Sequence, residues 1–203
     1  MNTKVSVLLA TLLAAAAPFA GAANVATGAA VTTTGTGFGL TNGWGGAALA
    51  DPSTVVDGAF LGNGHQWNTG SVFWQGGAPD TADTITITLA GAASVTGLTL
   101  EADNNDLYSV SYEDTGGTWH WLVGINPANP PTSWGLGVAT TSFAAVTAIA
   151  FDIQAAGGDN SYAVSEFQAT GDFLPAVPEP TSGLLMLAGL GALGAVARRR
   201  AAR

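Results

Sequence analysis

Short segments in which apolar and polar residues alternate constrain the fold of this 203-residue chain most. In the segment 83–89, Ile85, Ile87 and Leu89 alternate with threonines. Successive side chains of a β-strand point to opposite faces, so this pattern predicts a strand with one buried face. Between residues 24 and 172 no segment has the 3.6-residue periodicity of an amphipathic helix. The middle of the chain is therefore predicted to consist of β-strands.

Five further segments have the composition or the alternation of strands. They are Leu98–Leu100, Leu107–Glu113, Trp119–Val123, Thr147–Gln154 and Tyr162–Ala169. Within these segments, Tyr108, Val110 and Tyr112 are predicted to share one face, as are Ile149, Phe151 and Ile153. Many short strands at roughly 10-residue spacing, without helical segments, predict an all-β fold, namely an antiparallel β-sandwich.

The N-terminus has the pattern of a secretory signal peptide. Residues 1–23 contain Lys4, an apolar stretch and small residues around Ala20–Ala23. Such a segment is removed from the mature protein, and its apolar stretch of about 13 residues is too short for a membrane span. We therefore expect a signal helix at 1–23 and export through the Sec route.

The C-terminus combines three elements in a fixed order. Val177, Pro178, Glu179 and Pro180 precede an apolar stretch, and an arginine cluster follows it: Arg198, Arg199 and Arg200. The 14 uncharged residues from 184 to 197 make about 21 Å of helix, whereas a full bilayer crossing takes roughly 20 residues. The arginines favour a cytoplasmic location for the end of the chain.

This arrangement closely resembles the PEP-CTERM sorting signal of Gram-negative bacteria. The resemblance implies an exosortase-type membrane protease as partner, a transient anchor in the inner membrane through the C-terminal helix, and cleavage near the Pro-Glu-Pro motif. The protein would then reach the cell surface or an exopolysaccharide matrix. The alternatives are an ordinary single-span anchor, which would leave an uncut and weakly anchored membrane protein, or a buried helix.

Four regions follow from these features. The signal peptide takes 1–23, a β-sandwich binding domain takes 24–170, and a linker with the Pro-Glu-Pro motif takes 171–180. A short transmembrane helix with an arginine-rich cytoplasmic end takes 181–203. The chain contains no cysteine, and a domain of about 150 residues buries enough surface to fold without disulfides.

The predicted domain contains many acidic residues and no Lys or Arg. All five Lys and Arg residues lie in the two end segments, so residues 23–176 carry 13 acids and no Lys or Arg. Nucleic acids and anionic lipid headgroups are therefore poor partners. Each carboxylate must be solvated, hydrogen-bonded, protonated or bound to a cation, and any buried one is a candidate calcium ligand.

An ordered set of motifs runs from about residue 53 to residue 169. It comprises Val55-Val56-Asp57-Gly58, Gln66-Trp67, Val72-Phe73-Trp74, the 85–89 strand, Val95–Asp106, Tyr108–Tyr112, a Gly-Gly turn with Trp119, and Tyr162–Phe167. This set resembles the discoidin or coagulation-factor type C superfamily. The resemblance implies a galactose-binding-like jelly roll that acts as a binding module, with its binding loops at one end of the sandwich.

The resemblance also implies a structural calcium ion held by Asp57 and Glu166. Glu166 has the parity of Tyr162 and Val164, so if those two face the core, Glu166 also points inward without a cation to neutralise it. A frayed strand end in water is the alternative. Trp67 lies ten positions after Asp57, a longer spacing than in the family's loop, so further ligands such as Asn63 or Thr69 stay open.

Polar and aromatic residues supply the candidate sugar-binding groups. Asp103, Asn104, Asn105 and Asp106 form the densest polar cluster, which fits either a structural turn or acceptors and amides for sugar hydroxyls or a second calcium. Indoles pack against the apolar faces of sugars. The candidates near glycine-rich loops are Trp44, Trp67, Trp74 and Trp134. Trp119 and Trp121 share one strand face and are predicted to be core residues.

Catalytic motifs give little support for an enzyme. The sequence has no Gly-x-Ser-x-Gly or His-Glu-x-x-His motif. His65 and His120, the only histidines, lie beside no serine or aspartate in a triad pattern, and His120 is predicted on a strand surface. A carboxylate pair for glycoside hydrolysis remains an alternative. The sequence thus predicts a non-catalytic carbohydrate-binding protein, with a structural matrix protein without a specific ligand as the main alternative.

Overall fold

The computed structural model describes residues 22–41, 43–77, 79–127, 135–175, 185–190, 192 and 198–200. Its strands are β1 Ala23–Asn24, β2 Ala30–Thr34, β3 Val72–Gln75, β4 Asp80–Asp103, β5 Leu107–Glu113, β6 Trp119–Ile125, β7 Leu136–Gly157 and β8 Ser161–Phe173. A 3-10 helix spans Pro52–Val56. The predicted signal peptide up to residue 21, Trp134 and the Val177–Pro180 motif lie outside the described residues.

Two long strands join the two layers of the sandwich. β4 has 24 residues and β7 has 22, and they pair with each other in both layers, with register shifts in β4 between Thr88 and Ala93 and between Val95 and Gly97. Before the first shift β4 also pairs with β2, and from Ala93 onward it pairs with β8. A β-bulge bends a strand, so the shifts let one curled antiparallel sheet form both layers.

The first sheet has the order β2-β4-β7-β5-β6, and the second has the order β7-β4-β8 with β3 and β1 pairing to the far edge of β8. This arrangement confirms the predicted antiparallel jelly-roll β-sandwich. β8 continues to Phe173, three residues into the segment predicted as a linker, because Gly171 pairs with both Ala23 and Val95.

The main core lies between the two sheets. Ile85, Ile87 and Leu89 are buried there as the alternation predicts, and so are Phe151 and Ile153. Ile149 is only half-buried. Three aromatic side chains occupy the centre of the core. The fully buried rings of Trp74, Tyr108 and Tyr162 pack against one another with centroid distances of 5.6 to 6.3 Å.

The prediction that Trp119 and Trp121 are core residues is wrong. Trp119 is 42% exposed and Trp121 is 69% exposed. Both lie on β6, which among the described strands pairs with β5 alone and forms one edge of the first sheet. They stand opposite Glu113 and Ser111, on the face of β5 that points away from the core residues Tyr108 and Val110. Their shared face is therefore the solvent face.

Residues 185–190 of the C-terminal segment are helical, as are 198–200. In the described part of the chain, no helix has the length and apolar character needed to span a membrane.

Candidate functional site

Loop residues cover the outer face of the second sheet. Trp67 packs edge-on against Phe73 of β3, with ring centroids 5.7 Å apart, and both belong to an outer cluster with Leu136 and Ala163. Phe73 lies between Val72 and Trp74, which point into the main core. The loop that carries Trp67 therefore buries side chains that would otherwise face solvent.

Glu101 and Glu166 meet beneath this loop. They are direct partners in the pairing of β4 with β8, and both are fully buried. Directly opposite residues of two paired strands lie side by side on one face, where like charges destabilise the sheet. Since the domain offers no Lys or Arg, hydrogen bonding or protonation must compensate for this pair.

Glu166 does not point into the main core. The prediction that it shares the inward face of Tyr162 and Val164 is therefore wrong. A bulge in β8 shifts the register at this point. Glu101 pairs with Glu166, whereas the next residue of β4, Ala102, pairs with Val164. Val164 and Phe167 both belong to the main core, so the strand changes parity at Ser165. Glu166 therefore lies on the outer face, where its burial is due to the loop.

Glu101 is fully hydrogen-bonded. Its Oε1 accepts from the backbone N–H of Gly62, and its Oε2 accepts from that of Leu61, each at 2.7 Å. The hydroxyl of Ser165 also donates to Oε2 at 2.7 Å. A carboxylate with three donors is stable when buried. Glu101 thus anchors the loop to the sheet, and its oxygens have little capacity left for a metal ion.

Glu166 is less well compensated. The N–H of Gly58 and the side-chain amide of Gln168 donate to its carboxylate, each at 3.2 Å. Burial raises the pKa of Glu166 to about 7, and the nearby charges of Asp57 and Glu101 add to the rise while the two donors oppose it.

Two carboxylates fit part of a calcium site at this position. Calcium takes about six to eight oxygen ligands, and the exposed Asp57 and the buried Glu166 would supply two of them. Asp57 already accepts the N–H of Ala59 at 2.8 Å. Among the described residues no group of three or more acidic or histidine side chains is arranged to hold a metal, so backbone carbonyls or water would have to complete the set.

A cleft opens where the β4–β5 turn meets the β7–β8 turn. The cleft is open to solvent, with about 250 Å³ of empty space that includes solvent outside its walls, and it is lined by Trp44, Trp67, Asp103, Asn105, Asp159 and Ser161. Trp44 is 47% exposed, whereas only 5% of Trp67 reaches solvent. The cleft thus combines two indoles with carboxylate, amide and hydroxyl groups.

Hydrogen bonds hold the two turns together. The amide of Asn105 donates to Oδ2 of Asp159 at 3.0 Å, and Oδ1 of Asp159 accepts the N–H of Ser161 at 3.0 Å. The N–H of Asp159 in turn donates to Oδ1 of Asp106 at 3.2 Å. A Cβ at Gly158, where φ is +145°, would lie 1.7 Å from that same oxygen, so this close approach requires glycine.

The acids of the β4–β5 turn are protonated more readily than usual. Burial raises the pKa of Asp103 to about 7, with the charge of Asp159 as the second cause. Burial also raises the pKa of Asp106 to about 8, and the charge of Asp103 adds to this rise. The Oδ2 atom of Asp106 is buried and has no hydrogen-bond partner among the described residues, which fits a neutral carboxyl group.

The structure separates the residues predicted to bind sugar. Trp44, Trp67, Asp103 and Asn105 line one cleft, whereas Asn104 and Asp106 are buried beside it. Trp74 is fully buried in the main core, so its proposed role as a sugar-binding surface is corrected to a packing role.

Sequence reasoning missed Glu101, Asp159 and Ser161. Asp159 lies in a Gly-Gly-Asp-Asn turn, a signal that could have suggested a loop position. Nothing local distinguishes Glu101, because its partners are about 40 and 64 residues away.

Comparison with solved structures identifies the fold. The chain resembles chitosan-binding module 1 from a chitosanase/glucanase of Paenibacillus sp. IK-5, with 17% identity and a TM-score of 0.50 over 73% of this chain and 99% of that one. It also resembles a family 32 carbohydrate-binding module from C. perfringens in complex with galactose, with 14% identity and a TM-score of 0.50 over 73% and 97%.

A Streptococcus pneumoniae fucose-binding module gives 12% identity and a TM-score of 0.50, over 72% of this chain and 96% of that one. A search of curated proteins found no match to the chain. At the C-terminus, residues 176–200 match the model of the PEP-CTERM protein-sorting motif. The chain therefore combines a domain with the galactose-binding-like fold of family 32 carbohydrate-binding modules and a C-terminal PEP-CTERM sorting motif.

Proposed function

We propose that this protein is an exported, non-catalytic carbohydrate-binding protein of the cell surface or the exopolysaccharide matrix. The cleft between the β4–β5 and β7–β8 turns carries this proposal. Ligand sites in proteins combine apolar, often aromatic walls with a few placed polar groups. Here Trp44 and Trp67 form the aromatic walls, and Asp103, Asn105 and Ser161 supply polar groups.

The chemistry of the cleft suits a sugar that carries no acidic group. The exposed indole of Trp44 offers an apolar face to ring C–H groups. The carboxylates accept hydrogen bonds from sugar hydroxyls, and the side-chain amide can donate hydrogen bonds to hydroxyls and accept them. Because no Lys or Arg lies in residues 23–176, an acidic sugar would meet only negative charge, so neutral sugars and amino sugars are the expected ligands.

Replacement of Trp44 by alanine is expected to weaken sugar binding about tenfold or more. The side chain is half exposed at the mouth of the cleft, so its loss removes the sugar contact and leaves the core intact. A glycan array and titration calorimetry on the purified full-length protein, with galactose, fucose and chitosan oligosaccharides among the probes, provide the measurement. Phe60→Ala, another exposed loop aromatic that does not line the cleft, serves as the matched control and should bind as the wild type does.

Three results would contradict the proposal. If folded wild-type protein binds no glycan, the structural matrix protein becomes the better interpretation. If Trp44→Ala binds as tightly as the wild type, the cleft is not the site. If reducing ends are released from bound oligosaccharides, the protein is an enzyme, and Asp103 and Asp159 would be the carboxylate pair to replace first.

The sorting motif supports a transient membrane stage. We infer recognition by an exosortase-type protease, cleavage near Pro178-Glu179-Pro180, and release from the inner membrane to the surface. The protein recovered from a Gram-negative host with the protease is expected to lack the segment after the motif, as measured by its intact mass. Protein from the same host without the protease should keep that segment. A mature protein that keeps Arg198, Arg199 and Arg200 in the first host would contradict cleavage.

A structural calcium ion on Asp57 and Glu166 remains a proposal. It is supported by the burial of Glu166 beside a second carboxylate with no cationic side chain in the domain. The ion would neutralise Glu166 and hold the loop 57–62 on the second sheet. A rise of the melting temperature with calcium over that in chelator tests the proposal, because a ligand that binds only the folded state stabilises it.

A further inference from the structure

The outer face of the first sheet presents an ordered cross-strand row of side chains. Its members are direct partners in four successive strand pairings: Trp121, Ser111, Asp152, Thr86 and Thr32. The neighbours Phe151 and Ile153 point into the main core, so the row lies on the solvent side. Strands lie about 4.8 Å apart, and five strands therefore give the row a length of about 19 Å.

Two exposed indoles stand at one end of this row. Trp119 and Trp121 are separated by one residue of β6, so both point to the same face and lie about 7 Å apart along the strand. The residue between them, His120, stacks on Tyr112 instead, with ring centroids 5.1 Å apart. Two large exposed aromatics side by side form an exposed apolar patch, and such patches mark interaction sites on protein surfaces.

Polar groups next to the indoles are held in place. The hydroxyl of Thr86 donates to Oδ1 of Asp152 at 2.6 Å, and the amide of Gln154 donates to Thr84 at 2.9 Å. Ser111, Asp152 and Thr86 are half-buried, while Thr32 is exposed. The face therefore offers a flat array of hydroxyl, carboxylate and amide groups on a rigid sheet.

The charge of this face restricts its ligand. Glu113 and Asp152 are close enough that the charge of Glu113 adds to burial in raising the pKa of Asp152, against the hydrogen bond from Thr86. No described Lys or Arg lies on the sandwich, so acidic polymers are disfavoured.

We propose that this face is a second carbohydrate site, which binds an extended polysaccharide chain without acidic groups. Trp119 and Trp121 pack against sugar rings, and the hydroxyl and carboxylate groups of the cross-strand row bond to ring hydroxyls. An apolar protein partner would be expected to meet a continuous apolar patch, whereas here polar side chains adjoin the indoles on the same rows. The site is distinct from the cleft, because β5 runs about 20 Å from Leu107, beside the cleft turn, to Glu113, opposite Trp119.

The test compares three forms of the full-length protein: the wild type, the Trp119→Ala/Trp121→Ala double variant and Trp44→Ala. Depletion assays use insoluble chitin and β-glucan as neutral polymers, chitosan as an amino polymer and alginate as an acidic one. The double variant is expected to bind the neutral or amino polymers about tenfold more weakly, as the loss of two aromatic contacts implies. It should keep the wild-type melting temperature and wild-type affinity for short sugars.

Acrylamide quenching of tryptophan fluorescence provides an independent readout. In Trp44→Ala, which lacks the exposed indole of the cleft, polymer should protect the exposed indoles of Trp119 and Trp121, whereas short sugars should not. Unchanged polymer binding by the double variant, or no polymer binding by the wild type, would overturn the proposal. A wild-type dimer in sedimentation that becomes monomeric in the double variant, with polymer binding unaltered, would assign the face to a second copy of the chain. Loss of short-sugar binding in Trp44→Ala is scored separately and reports only on the cleft.

Discussion

Asp106→Asn is expected to raise the free energy of unfolding at pH 8 by about 2 kcal/mol or more, and to raise it by less at pH 5. Asp106 is buried, its Oδ2 has no hydrogen-bond partner among the described residues, and its pKa is raised to about 8. Asparagine has the shape of the protonated acid and keeps the oxygen that accepts the N–H of Asp159. It therefore removes only the penalty for ionisation.

The direction of the pH dependence follows from proton binding. Between an unfolded pKa of about 3.9 and a folded pKa of about 8, the native state binds more protons than the unfolded state. The stabilisation from this group is complete below the unfolded pKa and is lost as the pH rises through the folded pKa. Asp103 and Glu166, with pKa values of about 7, act in the same direction, so the wild type should melt higher at pH 5 than at pH 8.

Urea and thermal unfolding between pH 5 and pH 8, in chelator, measure this effect. A gain of 2 kcal/mol corresponds to a melting temperature about 5 °C higher at pH 8. Asp51→Asn serves as the control, because Asp51 is exposed and its pKa is lowered by hydrogen bonds from Ser53; it should bring no gain at pH 8. Parallel pH profiles for Asp106→Asn and the wild type would mean that Asp106 is ionised in the native protein.

Glu101→Gln is expected to lower the free energy of unfolding by about 3 kcal/mol. Both oxygens of Glu101 accept backbone N–H groups, from Leu61 and Gly62, and Ser165 donates a third bond. Glutamine has only one acceptor oxygen, so its NH₂ group would face an N–H donor in a buried position. Hydrogen bonds to a charged group contribute about 1.5 to 3 kcal/mol each, and an unsatisfied buried donor adds a cost.

Glu166→Gln is the matched control for this prediction, because Glu166 is the cross-strand partner of Glu101. Its donors are longer, at 3.2 Å, and its pKa is raised to about 7. In chelator its replacement should therefore raise stability at pH 7, because it removes the penalty for ionising the buried carboxyl group. With calcium, the wild type should gain stability and Glu166→Gln should not. Equal losses for both variants in chelator would contradict the distinct roles assigned to the two glutamates.

The strands and the class of the fold could be predicted because their signal is local. Ile85, Ile87 and Leu89 alternate with threonines, and this period of two places them on one face wherever the strand lies. The C-terminal sorting motif is also contiguous, and its Pro-Glu-Pro, apolar and arginine elements are recognisable without any tertiary contact.

It was harder to predict which face of a strand packs against the core and which faces solvent. Trp119 and Trp121 share a face, as the sequence indicates, but the alternation does not say whether that face meets the core or solvent. The position of β6 at the edge of the first sheet decides this. A single bulge at Ser165 likewise reverses the direction of Glu166, and no local pattern marks that bulge.

The amino-acid sequence by itself determined that this chain forms a β-sandwich, that its domain is acidic without cations, and that its C-terminus is a sorting tail. Only the tertiary structure decided that Trp44 and Trp67 share a cleft with Asp159, that Trp74 is buried, and that Glu101 anchors a loop. The physical reason is the range of the interactions. Periodicity and motifs are read over a few neighbouring residues, whereas Trp44, Trp67 and Asp159 of the cleft are 23 to 115 positions apart in the chain, and their proximity depends on strand order and register.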